Sequence, residues 1–176
     1  MKAMRAKTGG FILAAIFALL TANGVRATER YVSPDGTNDV NGGYTNWEGA
    51  ATTIQAAIDA SSPDDVVWVT NNTVYSSGCT NYAVGSNRVA ITKAITVRSL
   101  DDDFASTIIQ GNWDPATTNG GTAVRCVYMA AGSTLIGFTL TNGATATGAS
   151  VYDGGGIYGA NTTAIVSNCL IVGNAA

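Results

Sequence analysis

The chain has 176 residues, of which nine are Lys or Arg, twelve are Asp or Glu and none is His; charged residues make up only 12%. The lack of His excludes His-dependent catalytic triads and His-ligated zinc sites, so proton transfer would have to use carboxylates, Lys, Arg, Tyr or Cys. The acidic balance argues against nucleic acid as a partner. A hydrophobic content of 46% with 21 glycines favours a folded, turn-rich protein over a disordered one.

A secretory signal peptide is predicted at residues 1–27. Three basic residues lie in the first seven positions, an apolar stretch follows at 11–20, and Val25-Arg26-Ala27 offers small residues for cleavage, with cleavage after Ala22 as an alternative. The apolar stretch is too short for a transmembrane helix. Removing residues 1–27 leaves five basic and twelve acidic residues. The prediction is therefore a protein that is secreted or displayed at the cell surface or outer membrane, with no membrane span after cleavage.

The three cysteines of the chain are widely separated. Cys79, Cys126 and Cys169 form an odd set without the spacing of a disulfide framework. Each is predicted to be a small core residue.

Residues 28–65 are predicted to contain a strand, a polar loop and a helix. The strand is expected at 31–33. Apolar residues recur at helical spacing over 46–60, which predicts an amphipathic helix with Asn46 at its N-cap. Pro63 cannot continue a helix, so the helix should end before it.

Short strands are predicted over the remainder of the chain, residues 66–176. Gly, Asn, Asp and Ser separate them, but two-residue hairpin links and crossover helices are missing. A solenoid needs neither of these connections. The predicted strands are at 66–69, 73–75, 89–91, 94–97, 107–109, 124–129, 134–141, 156–158 and 164–172.

An internal repeat supports a solenoid. Val127-Tyr128 recurs as Ile157-Tyr158, thirty residues later, and a shift of 31 matches the apolar alternation of 138–140 with that of 169–171. An earlier pair of similar strands lies about 29 residues apart. A β-sandwich could produce two such copies by chance, so it remains the alternative.

Several of these segments resemble the right-handed parallel β-helix proteins of the pectin-lyase-like superfamily. The first three, together with Val74-Tyr75, resemble the opening of such proteins, although Asp64 and Asn72 stand where glycine is usual. The last three resemble the repeated coils of large exported bacterial β-helix proteins. The segments are Tyr31–Gly36, Thr53–Ile58, Asp64–Val69, Leu135–Gly143, Gly154–Tyr158 and Ser167–Asn174.

The resemblance implies an all-β fold, a right-handed parallel β-helix (solenoid) with an N-terminal capping amphipathic helix. In that fold Ile54, Ala57 and Ile58 would cover the end of the core, and residues 66–176 would form the first coils. The last predicted strand has no polar cap after it. We therefore expect the N-terminal part of a longer β-helix or a truncated product, which by itself is marginally stable or self-associating.

The densest acidic cluster, Asp101-Asp102-Asp103, is the one candidate metal site. Carboxylate oxygens suit Ca²⁺, and the resemblance implies that in related lyases Ca²⁺ holds an acidic sugar while Arg or Lys takes a proton; Arg98 and Arg125 are the candidate bases. A solvated turn is the favoured interpretation, because three consecutive carboxylates cannot all face one ion. No other cofactor is predicted.

A complete catalytic pair is not found. Glycoside hydrolysis needs two carboxylates about 5–10 Å apart, but the repeat strands after position 123 carry none and Asp153 stands alone. Tyr128 and Tyr158 could offer a sugar platform, but their offset favours a stacked pair.

The sequence therefore predicts an exported segment that is structural or adhesive at the cell surface, in contact with polysaccharide or other cell-surface components. No catalytic residue is assigned. The alternative is the N-terminal part of a polysaccharide lyase or glycoside hydrolase whose active residues lie mostly beyond residue 176.

Overall fold

The computed structural model of the chain describes residues 26–82, 85–147, 153–160 and 163–176. The predicted signal peptide at 1–27 therefore lies almost entirely outside the described residues. Within the described ranges, no helix has the length and apolar character that crossing a membrane requires.

The described residues form one α-helix and a series of short strands. A 3₁₀ turn at Leu100–Asp102 follows the sixth strand. The helix is α1 (Ile54–Ala60), and the strands are β1 (Glu29–Val32), β2 (Val66–Val69), β3 (Thr73–Tyr75), β4 (Thr80–Asn81), β5 (Ser86–Ile91), β6 (Thr96–Ser99), β7 (Thr107–Gln110), β8 (Arg125–Met129), β9 (Thr134–Ile136), β10 (Thr139–Thr141), β11 (Ile157–Gly159), β12 (Ile165–Ser167) and β13 (Leu170–Ile171).

The strands belong to three sheets, which the chain visits in rotation. Sheet A has the order β1-β2-β6-β9-β12, sheet B the order β13-β10-β7-β3, and sheet C the order β11-β8-β5-β4. Every strand pair is parallel except β4 with β5. We call one passage through sheets A, B and C a circuit. The described residues form parallel sheets with one N-terminal helix, which is consistent with the predicted all-β chain.

The last two circuits are spaced as the repeat in the sequence predicts, whereas the pairs β5–β8 and β6–β9 are each offset by 38. Val127 pairs with Ile157, an offset of 30, and Leu140 pairs with Ile171, an offset of 31. The strands β2 and β6 of sheet A, which the sequence places about 29 residues apart, are offset by 30. Because side chains alternate between the two faces of a strand, these registers keep apolar residues on the inner face.

The core lies between the three sheets. In sheet A, Val67 pairs with Val97, and Val97 pairs with Leu135; all three are fully buried. Burying each such side chain contributes roughly 1.5–3 kcal/mol. Stacking like residues at the same register position therefore builds one continuous core from successive circuits.

Two strands that were predicted as continuous are each divided by a corner. The predicted strand 134–141 breaks at Gly137 (φ 80°), and 164–172 breaks at Asn168 (φ 47°). These residues lie 31 positions apart, at the turn from sheet A to sheet B in successive circuits. The left-handed backbone that the turn needs suits Gly and Asn.

The helix is shorter than its periodicity predicts. Thr53 is the N-cap, and its hydroxyl accepts a hydrogen bond from the Ala56 N–H at 3.3 Å. The prediction of a helix from 46 was wrong for its first two turns, because Ala51 instead exchanges hydrogen bonds with the outer edge of β1. Asn46 accepts from the Gly49 N–H in a local turn. The predicted end is correct, since the C-cap is Ser61.

Helix α1 covers one end of the core. Its inner face buries Ile54, Ala57 and Ile58, as predicted. The Lys93 ammonium donates to the carbonyls of Ile58, Asp59 and Ser61 at 2.6–3.0 Å. A cation at these carbonyls satisfies acceptors that the end of a helix leaves free. The helix is thereby tied to the turn that joins β5 to β6.

Gln55 of the helix completes the hydrogen bonding of β5. Its side-chain Oε1 accepts from the Ala90 N–H at 2.8 Å, and its Nε2 donates to the Ala90 carbonyl at 3.3 Å. The amide thus takes the place of a neighbouring strand at this edge. The same Nε2 also donates to the exposed Asp59 carboxylate at 2.8 Å.

We expect Gln55→Met to lower the free energy of unfolding by about 1–3 kcal/mol, because two polar groups of the buried Ala90 lose their partners. Urea unfolding followed by circular dichroism measures the change. Asp59→Ala, which removes only the exposed partner of the same amide, is the control and should change stability far less. Equal losses in the two variants would contradict this role of Gln55.

Candidate ligand-binding groove

The acidic cluster forms the corner at which the chain turns from sheet A to sheet B in the second circuit. Asp101 and Asp102 both adopt left-handed backbone, with φ values of 58° and 55°. The Asp102 carboxylate pairs with Arg98 at 2.6 Å. The hydroxyl and N–H of Ser106, together with the Ala105 N–H, donate to Asp103, and these bonds lower its pKa despite some desolvation. Two of the three carboxylates are thus engaged by the corner itself.

The described residues contain no group of three His, Cys, Asp or Glu side chains placed to hold a metal ion. The predicted candidate bases lie on different sheets. Arg98, on sheet A, places its guanidinium 4.6 Å from the ring centre of Trp68. Arg125, on sheet C, is almost fully buried. The structure does not bring these two arginines together.

Arg125 links neighbouring strands and connections. Its guanidinium donates to the Asp153 carbonyl at 3.0 Å and to the Asn87 Oδ1 at 3.5 Å, and it lies 5.2 Å from the ring centre of Tyr158. Burial lowers the pKa of Arg125. These contacts fix the guanidinium within the packing of sheet C.

Three tyrosines form a ladder on the outer face of sheet C. The rings of Tyr128 and Tyr158 stack at 5.8 Å with an interplanar angle of 16°, which confirms the predicted stacked pair. Tyr82 meets Tyr128 edge-on at 4.8 Å. Tyr128 is buried between its neighbours, so the ladder offers no open platform at that position.

The cysteines differ in their surroundings, and all three are free thiols. Cys126 is a buried core residue as predicted, and burial raises its pKa to about 11. Cys169 is partly buried against the core. The core prediction was wrong for Cys79, which is exposed.

The open feature with the clearest ligand chemistry is a groove at the corner between sheets B and C. It has a volume of about 230 Å³ and its lining includes Trp113, which is 45% exposed. The groove lies where the second circuit leaves β7 and the third circuit leaves β10. Its lining consists of Gln110, Gly111, Asn112, Trp113 and Asn142.

The loop that carries Trp113 is held by its own hydrogen bonds. Asn112 and Val124 exchange backbone hydrogen bonds at 2.8–2.9 Å and close the loop. The Asp114 carboxylate accepts from the Ala116 N–H and from the hydroxyl and N–H of Thr122. These bonds lower the pKa of Asp114 to about 2. The indole is therefore presented by an ordered loop.

An arginine of the first circuit holds the backbone at the floor of the groove. Arg88 donates to the carbonyls of Gln110 at 2.7 Å and Gly111 at 3.3 Å, and also to that of Gly78. Burial lowers the pKa of Arg88. Arg88 also lines a separate cavity of about 210 Å³ below the start of helix α1. Its bonds to carbonyls make it a positioning residue for the groove.

Uncharged polar residues line the groove together with Trp113. Within the described part of the chain, the side-chain amides of Gln110 and Asn142 have no hydrogen-bond partner, and each offers both donors and an acceptor. Asn112 uses its Nδ2 on the Trp113 and Thr122 carbonyls, which leaves Oδ1 toward other partners. An aromatic face flanked by neutral amides suits a ring that has one apolar face and hydroxyl groups at its edge.

No family model, curated protein or solved structure matches this chain. The relation to the pectin-lyase-like superfamily therefore stays a prediction from the resemblance. What stands independently is the parallel three-sheet arrangement and the groove at its corner.

Sequence reasoning left Trp113 without a role. The groove joins 110–113 to Asn142, about thirty positions later, and only the register between circuits shows that they meet. A usable signal was present, since a Trp beside Asn follows a strand end at 110 and Asn142-Gly143 follows a strand end in the next repeat.

Proposed function

We propose that this protein is an exported, non-catalytic segment of a right-handed parallel β-helix that adheres to neutral polysaccharide through the Trp113 groove. The proposal places the protein outside the cell or at its surface, with polysaccharide or other cell-surface components as partners. The predicted signal peptide at 1–27 supports export.

The β-helix interpretation is supported by the rotation of the chain through three sheets and by offsets of 30 and 31 between parallel neighbours. A right-handed path is the hand expected where parallel strands are connected. Repeated circuits of this kind give an extended surface on which ligand sites can be placed.

The observation that carries the adhesive function is the exposed Trp113 in one groove with two side-chain amides that have no hydrogen-bond partner among the described residues. A sugar ring can stack its C–H face on the indole while its hydroxyl groups exchange hydrogen bonds with Gln110 and Asn142. The groove is smaller than the usual range for ligand pockets, about 300–1,000 Å³. We therefore assign it one sugar unit of a longer chain.

The neutral character of the ligand follows from the charges near the groove. The lining residues carry no charge. The carboxylate of the adjacent Asp114 accepts hydrogen bonds from Ala116 and Thr122 of its own loop. The guanidinium of Arg88 is turned to backbone carbonyls. An acidic sugar would find no cation in the lining to compensate its carboxylate.

Trp113→Ala is expected to weaken binding to a neutral polysaccharide by about tenfold, since one aromatic contact is worth roughly 0.5–1.5 kcal/mol beyond its buried area. Glucan, mannan, xylan and galactan are immobilised and tested beside polygalacturonate and alginate. Trp47→Ala is the matched control, because Trp47 is 39% exposed and lies away from the groove.

Equal binding by the Trp113→Ala variant and the unchanged protein would overturn the adhesive function. Release of shortened chains or new reducing ends from any of these polysaccharides, with or without Ca²⁺, would instead support the lyase or hydrolase alternative.

A further inference from the structure

The cavity of about 210 Å³ at the start of helix α1 shares no lining residue with the Trp113 groove. The beginning of α1, the connection from β3 to β4 and strand β5 line it. We call this space the cap cavity. A cavity of about 150 Å³ can hold benzene, so the cap cavity has room for a small molecule with one ring. Its lining includes Ile54, Tyr75, Ser77, Cys79, Arg88 and Val89.

Part of the cap cavity is apolar. Ile54 and Val89 line it and belong to the buried core. The hydroxyl of Tyr75 forms hydrogen bonds with the hydroxyl and the carbonyl of Thr70, at 2.8 and 3.3 Å. Tyr75 therefore contributes mainly its ring to the lining. Such a surface suits the carbon body of a ligand better than a hydrated inorganic ion.

Among the described residues that line the cap cavity, Arg88 alone carries a charge. A guanidinium has five N–H donors. Arg88 donates to the carbonyls of Gly78, Gln110 and Gly111, and its other two N–H groups have no acceptor within the described ranges. Carbonyl groups are neutral, so these bonds leave the positive charge without a counterion.

The positive charge of Arg88 is not balanced by a side chain of the protein. All twelve Asp and Glu residues lie in the described ranges, and none of them forms an ion pair with Arg88, whereas Arg30 and Arg98 pair with carboxylates. Arg88 is half-buried. A cation that is partly removed from water and lacks a counterion is costly, and an anion in the cap cavity would reduce that cost.

We propose that the cap cavity binds a small organic carboxylate. Two N–H groups of Arg88 hold the carboxylate, and the apolar body of the ligand lies against Ile54, Tyr75 and Val89. A planar guanidinium matches the two oxygens of a carboxylate, and the hydroxyl of Ser77 offers a further donor. This site goes beyond the proposed adhesive function, because it takes a charged small molecule in a separate cavity.

Isothermal titration calorimetry with benzoate tests the proposal on protein purified from expression of the full 176-residue sequence. Benzoate should bind at one saturable site. Benzamide has the same ring without the charge and should bind at least about tenfold more weakly, because hydrogen bonds between charged groups are lost. Acetate keeps the charge without the ring and should also bind more weakly. Equal affinity for benzoate and benzamide, or no binding of benzoate, would overturn the proposal.

Two variants test the residues of the site. Arg88→Gln should weaken benzoate binding by at least about tenfold, whereas Arg98→Gln, at a half-buried arginine of sheet A, is the matched control and should leave it unchanged. Because Arg88 also holds backbone carbonyls, Cys79→Trp is the second variant. It fills the cavity from an exposed position and should block benzoate. Unchanged affinity in a folded Arg88→Gln or Cys79→Trp variant would contradict the site.

Alkylation of Cys79 shows where benzoate binds. In a Cys169→Ser background Cys126 is buried, so iodoacetamide reports on the exposed Cys79. Benzoate should slow the reaction, and benzamide at the same concentration should not. An alkylation rate that saturating benzoate leaves unchanged would locate the ligand outside the cap cavity and overturn the proposal. Trp113→Ala should bind benzoate like the unchanged protein, which separates this result from the test of adhesion.

Discussion

Gly143→Ala is expected to lower the free energy of unfolding by about 3 kcal/mol, at the upper end of what overpacking a core costs. A Cβ at Gly143 would collide with the Gly155 carbonyl oxygen and would lie 2.8 Å from the Cys126 Sγ. The obstacle includes backbone of the next connection, which cannot rotate away. The Gly143 N–H also donates to the Asn174 Oδ1 at 2.7 Å, so a shift of the backbone would strain this bond as well.

Gly143 belongs to a column of glycines where circuits approach each other most closely. A Cβ at Gly111 would meet the Val124 carbonyl, and a Cβ at Gly155 would meet the Ala175 carbonyl. Gly121→Ala is the matched control, because no atom lies within 4 Å of the added methyl group. Thermal and urea unfolding should show the Gly121 variant within about 0.5 kcal/mol of the unchanged protein. Equal stability of the Gly143→Ala and Gly121→Ala variants would contradict the close backbone approach at Gly143.

Asp65→Asn is the second substitution with a large expected effect, a loss of about 3 kcal/mol of stability. Asp65 is buried and accepts hydrogen bonds from the Thr28 N–H at 2.7 Å, the Ser62 N–H at 2.8 Å and the Arg30 Nε at 3.3 Å. Loss of its charge leaves Arg30 largely buried without a counterion. Asp102→Asn is the control, since the Arg98–Asp102 pair is about one-third exposed at both ends and such pairs contribute at most about 1 kcal/mol.

The same carboxylate makes stability depend on pH. Burial alone would raise the pKa of Asp65, but the N–H groups of Ser62 and Thr28, together with Arg30, lower it below its ordinary value. A carboxyl whose pKa is lower in the folded state stabilises the fold above its unfolded pKa, and this stabilisation is lost as the pH falls through the folded pKa. Urea unfolding at about pH 7 and about pH 3 should therefore show a smaller acid loss in Asp65→Asn than in the unchanged protein. The same acid loss in both proteins would contradict the role of Asp65.

Much of the fold could be predicted because its strands follow a simple alternation. The repeat offsets of 30 and 31 and the stacked pair Tyr128–Tyr158 are confirmed, since a shift by one residue would turn the inner side chains of a strand outward. The burial of Ile54 and Ile58 was predictable for the same kind of reason, because helical spacing puts them on one face.

Other features depended on contacts that no local pattern contains. Apolar spacing extended the predicted helix back to 46, but hydrogen bonds from the edge of β1 hold Ala51 in a non-helical segment. The acidic run at 101–103 was considered for metal, and its place at a corner follows from the left-handed backbone of Asp101 and Asp102. Tertiary hydrogen bonding outweighs local propensity in such cases.

By itself, the sequence determined which side chains face the core and which residues repeat, because these properties depend on alternation along each strand. The tertiary structure decided where circuits touch, which edges are covered and which polar groups meet. Trp113 and Asn142 share a groove, and Gly143 and Gly155 meet backbone to backbone, only because the registers between circuits and their connections bring them together. Those relations are set by packing between segments that are separated along the chain.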